Sequence, residues 1–268
     1  MRRNGPLALL FHGAFIVFVL APIVVVCAVA FTSKGYLSLP TDGLSLRWFR
    51  AIAENRDFVD AFWASLWLGT MSATIAVGLS VPAALAIARH RFPGRDAITT
   101  LFQAPLMIPP AVLGIAFLRF FTQTGISGTF LGLVLSHVVI ITPYAIRLVL
   151  SASTGMDPQI EHAAISLGAS WFATFRRVTL PMILPGVVSG WVLAFITSFD
   201  EVTMTVFIAA PGTETLPVRM FLYIQDNIDP LVTSVSACVI AVAVVALIAL
   251  DRAYGLERLL VGRGSDGR

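Results

Sequence analysis

Two adjacent acids, Asp200 and Glu201, are the side chains in this chain with the clearest capacity for chemistry, because they stand inside an otherwise apolar run. If that run crosses a membrane, an ionisable residue at its centre costs about 2.5–3.5 kcal/mol to insert. A carboxylate pair in a low-dielectric cavity would suit a cation such as an ammonium group, with Phe199, Thr203 and Tyr144 as further candidates along the same pathway. Alternatively, both acids lie near an interface or pair with arginines and only hold helices together. Both interpretations remain open from the residues alone.

A second informative stretch begins at Asp157, where moderately polar residues interrupt the apolar sequence. Asp157 is a good N-cap, and Pro158 suits the first helical position. An apolar stripe at helical spacing follows, made of Ile160, Ala164, Leu167 and Trp171. Gly168 can end this helix. The pattern predicts a short amphipathic helix suited to docking another protein.

A second short helical stretch is predicted to follow, carrying Arg176 and Arg177 and closing at Leu180-Pro181. Both stretches lie between apolar runs. An element held at both ends by membrane helices would transmit rigid-body force into them.

Six apolar runs must position these groups in a chain that is 57% hydrophobic and only 12% charged, with a mean hydropathy of +0.86. Each is long enough to cross a bilayer as a helix. The runs are 7–31, 61–88, 97–121, 129–150, 183–210 and 231–250. We therefore predict an all-α, polytopic membrane protein with about six transmembrane helices. Cys27, Cys238 and His137 lie inside these runs and are expected to be packing residues, with no metal site among them.

Two features modify this simple series of six membrane spans. The prolines between Pro105 and Pro110 disrupt a full turn of the third run. Residues 32–60 are polar with interspersed aromatic residues, which suits a short helix at the membrane surface or a lip that receives a partner. The first run is longer than the core of a signal peptide, so an uncleaved span is expected.

Arginine and lysine residues predict the orientation. With both termini cytoplasmic, twelve of the 18 lie on the cytoplasmic side and six on the other. The cytoplasmic set is Arg2, Arg3, Arg89, Arg91, Arg95, Arg147, Arg176, Arg177, Arg252, Arg258, Arg263 and Arg268. Residues 152–182 would then form a cytoplasmic loop between spans 4 and 5.

In this loop the sequence resembles the permease subunits of binding-protein-dependent ABC importers. Their loop carries Glu-Ala-Ala, three residues and Gly, followed by an aliphatic residue, any residue and Leu-Pro. Ala163, Ala164 and Gly168 match at the right spacing, and residues 178–181 supply the close. His162 stands at the glutamate position, with Glu161 one residue earlier. Either His162 replaces that glutamate or Glu161 takes its place.

The resemblance covers roughly residues 60–250, the permease domain. Residues 1–59 would form the first transmembrane helix with a periplasmic segment, and residues 251–268 a cytoplasmic tail. The residues that the resemblance implies for coupling to an ATPase are Glu161, His162, Ala163, Ala164, Gly168, Arg176, Arg177, Leu180 and Pro181.

The resemblance also implies partners in the bacterial inner membrane and on both sides of it. These are a second permease, identical or homologous, two ATPase subunits, an extracytoplasmic substrate-binding protein and membrane lipid, but no nucleic acid. The chain has no phosphate-binding loop of the Walker type. It is therefore expected to be a transport subunit and not an enzyme, with ATP and Mg²⁺ bound by the partner ATPase and no cofactor bound by this chain.

The segment from Ser198 to Pro217, and the residues from Pro105 to Pro109, resemble the spermidine/putrescine-type branch of these permeases. This implies a polyamine or related small organic cation as substrate. An amino-acid derivative or a phosphonate is the alternative. An alternative function is a stand-alone secondary transporter that uses Asp200 and Glu201 as ion sites. The loop motif argues against this alternative.

Overall fold

The computed structural model describes residues 5–254, and every regular element in that part of the chain is helical. The α-helices are α1 (Pro6–Val29), α2 (Arg47–Glu54), α3 (Arg56–Arg89), α4 (Arg95–Gln103), α5 (Pro110–Thr124), α6 (Phe130–Thr154), α7 (Gln159–Ser166), α8 (Trp171–Thr174), α9 (Leu180–Phe199), α10 (Thr205–Ile208), α11 (Leu216–Asp226) and α12 (Leu231–Tyr254). A 3₁₀ turn, Ala104–Met107, extends α4, and a π-helical turn, Phe175–Thr179, joins α8 to α9.

Five helical segments in the described residues are long and apolar enough to cross a membrane, and a bent pair raises the number to six. The bent pair is the predicted third run. It is not one straight span, because Arg95–Met107 and Pro110–Thr124 meet at 100°. Pro109 and Pro110 explain the break, since each removes a backbone donor and a residue before proline avoids the α conformation. The count of about six is confirmed, with the third span broken.

The described residues divide into two compact units. The first contains the chain up to Val59 and the chain from Met220 onward. In it the predicted short helix of residues 32–60 is α2, whose Trp48 is buried and donates from Nε1 to the carbonyl of Lys34 at 3.1 Å. Helix α3 begins at Arg56, earlier than the predicted run. Residues 251–254 of the predicted C-terminal tail continue α12, and the rest of that tail, from residue 255 onward, lies outside the described residues, as do Arg2 and Arg3.

The second unit, from Asp60 to Arg219, is organised around α6 and α9. Gly186 and Gly190 let these two helices approach closely. A Cβ at Gly186 would clash with Ala152, and a Cβ at Gly190 would lie 3.3 Å from the carbonyl oxygen of Ala145. Small residues four apart are a common interface between membrane helices. Helix α3 packs on this pair through the buried residues Ala73, Ala76 and Val77.

The fifth apolar run differs from its prediction at both ends. Its helical path starts at Trp171 and ends at Phe199, not at residue 210. Leu180-Pro181 closes no helix, because the path continues through it. The preceding π-helical turn, in which the Leu180 amide bonds to the Phe175 carbonyl, is wider than an α-turn. That wider turn accommodates Pro181, which lacks a donor of its own.

Candidate functional site

Helix α7 in the loop between α6 and α9 is capped by its own sequence. Asp157 Oδ1 accepts a hydrogen bond from the Gln159 amide at 2.9 Å, but the N-cap itself is Pro158, so Asp157 and Pro158 each stand one position earlier than predicted. At the other end, the Gly168 amide bonds to the Ile165 carbonyl at 2.9 Å and the Ala169 amide to the Ala164 carbonyl at 3.1 Å. This is a Schellman motif, in which the residue after the C-cap is left-handed. Gly168 has φ +88° and ends the helix, as predicted.

Replacing Gly168 by alanine should destabilise this helix end by about 1–2 kcal/mol, because the left-handed conformation strains any residue with a Cβ. Space is not the cause, since a Cβ at Gly168 would meet nothing within 4 Å. Hydrogen exchange of the amides from Ala164 to Ala169 should accelerate about five- to thirtyfold. Gly155→Ala is the matched control, because Gly155 has φ −77°. Equal exchange in the two variants would contradict this account of Gly168.

Several large apolar side chains of α7, α8 and the turn between them are exposed. Leu167 is 89% exposed and Trp171 is 76% exposed, and Ile160, Ile165 and Phe172 are also exposed. The polar residues His162, Arg176 and Arg177 in the same loop are exposed as well. An apolar patch with a polar rim is typical of a protein-binding surface. We call the exposed side chains Ile160, Ile165, Leu167, Trp171 and Phe172 the loop patch.

Glu161, unlike its neighbour His162, is engaged with the membrane helices. Its carboxylate accepts from the Arg89 guanidinium at the end of α3 and from the Thr179 hydroxyl in the π-helical turn. The Glu161 and Arg89 side chains are only 15% and 16% exposed. At the position where the family motif has glutamate, the exposed side chain is therefore His162, and Glu161 is engaged within the chain.

A cavity of about 620 Å³ lies between the end of α3 and the loop. Its walls are mostly apolar. They are formed by Val81, Pro82, Leu85, Ala86, Ile165, Trp171, Phe172 and Phe175, together with Arg89, His90, Glu161, His162, Thr174 and Thr179.

The second candidate site is at the opposite end of α9. Twenty residues at 1.5 Å each place Asp200, the C-cap, about 30 Å from Leu180. Asp200 and Glu201 are thus in the turn after the helix, and the expectation that both lie within a continuous apolar helix is wrong. The cause is Glu201, whose carboxylate accepts from the amides of Met204 and Thr205 at 2.8 and 2.9 Å and so starts α10.

A buried hydrogen-bond chain fixes this turn. The Thr205 hydroxyl donates to the Glu201 carboxylate at 2.6 Å and lies 3.0 Å from His137 Nε2, while His137 Nδ1 lies 2.8 Å from the Ser198 hydroxyl. Because the Thr205 hydroxyl donates to the carboxylate, it accepts from Nε2–H, and Nδ1 accepts from Ser198. His137, Ser198 and Thr205 are buried, so Glu201 is occupied in holding α6, α9 and α10 together.

Asp200 remains exposed on the same turn. Phe199 beside it is half-buried, and its ring meets that of Phe62 edge-on at 6.4 Å. Phe199 continues a row of aromatic side chains along α9. The ring centroids of Trp191 and Phe195 are 5.4 Å apart, and those of Phe195 and Phe199 are 5.9 Å apart. We call Trp191, Phe195 and Phe199 the aromatic row.

The structure brings together four of the five predicted pathway residues, since Phe199, Asp200, Glu201 and Thr203 share one turn. Tyr144 is not among them. It lies on α6 at the level of Gly190, about two helical turns from Ser198. Within residues 5–254, no group of three or more His, Cys, Asp or Glu side chains could hold a metal ion.

Two curated relatives match nearly the whole chain. The spermidine/putrescine transport system permease protein PotC of Haemophilus influenzae is 31% identical over 231 residues, which are 86% of this chain and 89% of the relative. The putrescine transport system permease protein PotI of Escherichia coli is 30% identical over 240 residues, 87% of this chain and 85% of the relative.

A solved structure has the same fold. It is a bacterial ABC transporter involved in the import of the acidic polysaccharide alginate, with a TM-score of 0.69 and 14% sequence identity. The match covers 95% of this chain and 99% of the other.

A family model described as "Binding-protein-dependent transport system inner membrane component" matches residues 76–256, more than half of the chain. A protein of this description is a transport component of the inner membrane and not an enzyme. It works with a substrate-binding protein and, in an ABC importer, with an ATPase. The chain therefore belongs to the family of binding-protein-dependent transport system inner membrane components, the permease subunits of ABC importers.

Proposed function

We propose that this permease imports a polyamine or a related small organic cation, and that Asp200 meets the ammonium group. The observation that carries the proposal is the contrast between the two acids. Glu201 has three donors from its own chain, whereas Asp200 is exposed beside Phe199. The names of PotC and PotI support the same class of substrate.

The chemistry around Asp200 suits an alkyl amine. A carboxylate forms charge-assisted hydrogen bonds with an ammonium group, and these are stronger than neutral ones. Trp191 and Phe195 pack in part against the buried residues of α3, α6 and α9, and the exposed part of the aromatic row offers ring surface to methylene groups next to Asp200. Aromatic faces also attract cations, by about 0.5–1 kcal/mol at exposed sites. Together, the aromatic row and Asp200 form an apolar surface that ends at a carboxylate.

We further propose that the loop patch docks into a partner ATPase. Both termini and the loop then lie in the cytoplasm, and Asp200 faces the side from which the binding protein delivers substrate. Two permeases, identical or homologous, form the pathway, and two ATPase subunits bind ATP and Mg²⁺. ATP binding moves α7, and α6 and α9 carry that motion across the membrane.

Uptake by cells that lack their own amine transport tests the substrate. The permease is expressed with its own second permease, ATPase and binding protein, and the cells are offered labelled putrescine, spermidine, an amino-acid derivative and a phosphonate. We expect saturable amine uptake that unlabelled amine competes away. Uptake of the phosphonate or the amino-acid derivative without amine uptake would contradict the proposed substrate class.

A further inference from the structure

We infer that Glu161 is a positioning residue that fastens the coupling loop to α3, and not a contact to the ATPase. The inference rests on the proposed function, because it concerns how motion of α7 reaches the membrane helices. Nothing in the family motif points to it, since the motif acid belongs one residue later, where this chain has His162.

The three membrane helices around α7 are joined to it in different ways. Helix α6 precedes it and α9 follows it in the chain, so both are linked covalently to the loop. Arg89, at the end of α3, is 72 residues away in sequence from Glu161. The Glu161 carboxylate accepts from Arg89 with one oxygen and from Thr179 with the other. One side chain therefore joins α7 to the ends of α3 and α9.

Arg89 holds the loop at a second point. Its Nη2 lies 3.9 Å from the sulfur of Met156, just before α7. Arg89 is also the last residue of α3, where a cation is stabilised by the helix dipole. The Arg89 guanidinium thus contacts both Glu161 in α7 and Met156 just before it, from a position that the dipole of α3 favours.

The cavity explains why this polar link matters. The cavity lies between apolar residues of α3, including Pro82 and Leu85, and apolar residues of the loop, including Trp171 and Phe175. Apolar packing therefore does not fill this space, and the Arg89–Glu161 ion pair, which forms part of the cavity wall, joins its two sides. Just before Arg89, α3 packs on α6 through Ala84 and Ile87, and the ion pair adds a direct link from the last residue of α3 to α7.

The environment makes the link sensitive to loss of either partner. Exposed ion pairs contribute little because water screens them. Glu161 and Arg89 are both largely shielded, and removing one leaves the other as an uncompensated, partly buried charge. Exchanging the two residues, so that the arginine is at 161 and the glutamate at 89, should restore the ion pair. If Glu161 instead contacted the ATPase, this exchange would not restore its function.

A charge swap tests the inference in proteoliposomes containing the complete transporter with its binding protein. The variants are Glu161→Arg, Arg89→Glu and the double swap, and the readout is the number of substrate molecules transported per ATP hydrolysed. We expect each single variant to lower this ratio about fivefold or more, and the double swap to return it to within about twofold of the unmodified transporter.

Glu161→Gln is the milder variant, because it keeps the volume and a bond to Thr179 but leaves Arg89 without its counter-charge. It should lower the ratio about threefold, while Asp96→Asn, which removes an exposed acid in the neighbouring segment, should leave it unchanged. An unchanged ratio in Glu161→Gln, or an assembled double swap that stays at the level of the single variants, would overturn the inference. Absence of ATP-dependent transport by the unmodified complex would instead overturn the proposed function.

Discussion

Replacing Leu167 by aspartate is expected to weaken binding of the partner ATPase about a hundredfold. Leu167 is the most exposed residue of the loop patch, at 89%, and burying a leucine side chain is worth about 1.5–3 kcal/mol. The aspartate also introduces an unpaired charge into an apolar contact, which adds to the loss. Each 1.4 kcal/mol corresponds to a factor of ten in affinity. Titration of purified ATPase onto the immobilised, detergent-solubilised permease measures the change.

Leu44→Asp is the matched control for this substitution. Leu44 is also strongly exposed, at 78%, but it lies in the segment between α1 and α2, which the proposed topology places on the other side of the membrane. The ATPase should bind this variant with unchanged affinity. Equal binding of the Leu167 variant and the unmodified permease would show that the loop patch is not the docking surface.

Asp200→Asn is expected to lower amine uptake about tenfold or more while the complex still assembles. The amide keeps the size of the side chain but has no charge, and a hydrogen bond to a charged group contributes about 1.5–3 kcal/mol. At 1.4 kcal/mol per factor of ten, that range corresponds to about ten- to a hundredfold. Initial rates of labelled putrescine uptake at low concentration report the change. Asp226→Asn, which neutralises another exposed acid, should transport normally.

A comparison with a variant of Glu201 distinguishes a role of Asp200 in transport from a role in structure. Glu201→Gln removes the charge that three donors hold and replaces one of the two accepting oxygens by an NH2 group, which then faces another donor. That variant should lose thermal stability in detergent, with lower yield of the assembled complex. Asp200→Asn should melt like the unmodified protein. Amine uptake at the normal rate by Asp200→Asn would return Asp200 to a role without substrate contact.

The coupling loop could be predicted from sequence because its signals are local. Asp157 accepts from an amide two residues away at the start of the helix, and the turn at Gly168 ends the helix through bonds that span three and five residues. Such motifs form from neighbouring residues, so reading the chain in order identifies them. The broken third span was likewise visible in its prolines.

The end of α9 and the partners of its acids could not be predicted in this way. The apolar residues continue beyond Phe199, so hydropathy gives no stop signal there. The turn depends on His137, which is 61 residues from Ser198 and 68 from Thr205. The partner of Glu161 is equally distant. One signal was available, because Gly186 and Gly190 have the spacing of a close helix contact.

We propose that this chain moves a solute only when a separate ATPase drives the loop. The most direct measurement is uptake of labelled amine into proteoliposomes that contain the permease pair and ATPase, with ATP in the lumen and binding protein outside. Uptake should require both ATP and the binding protein, and the loaded binding protein should stimulate ATP hydrolysis. Uptake that proceeds without the ATPase and follows an imposed ion gradient would contradict the claim.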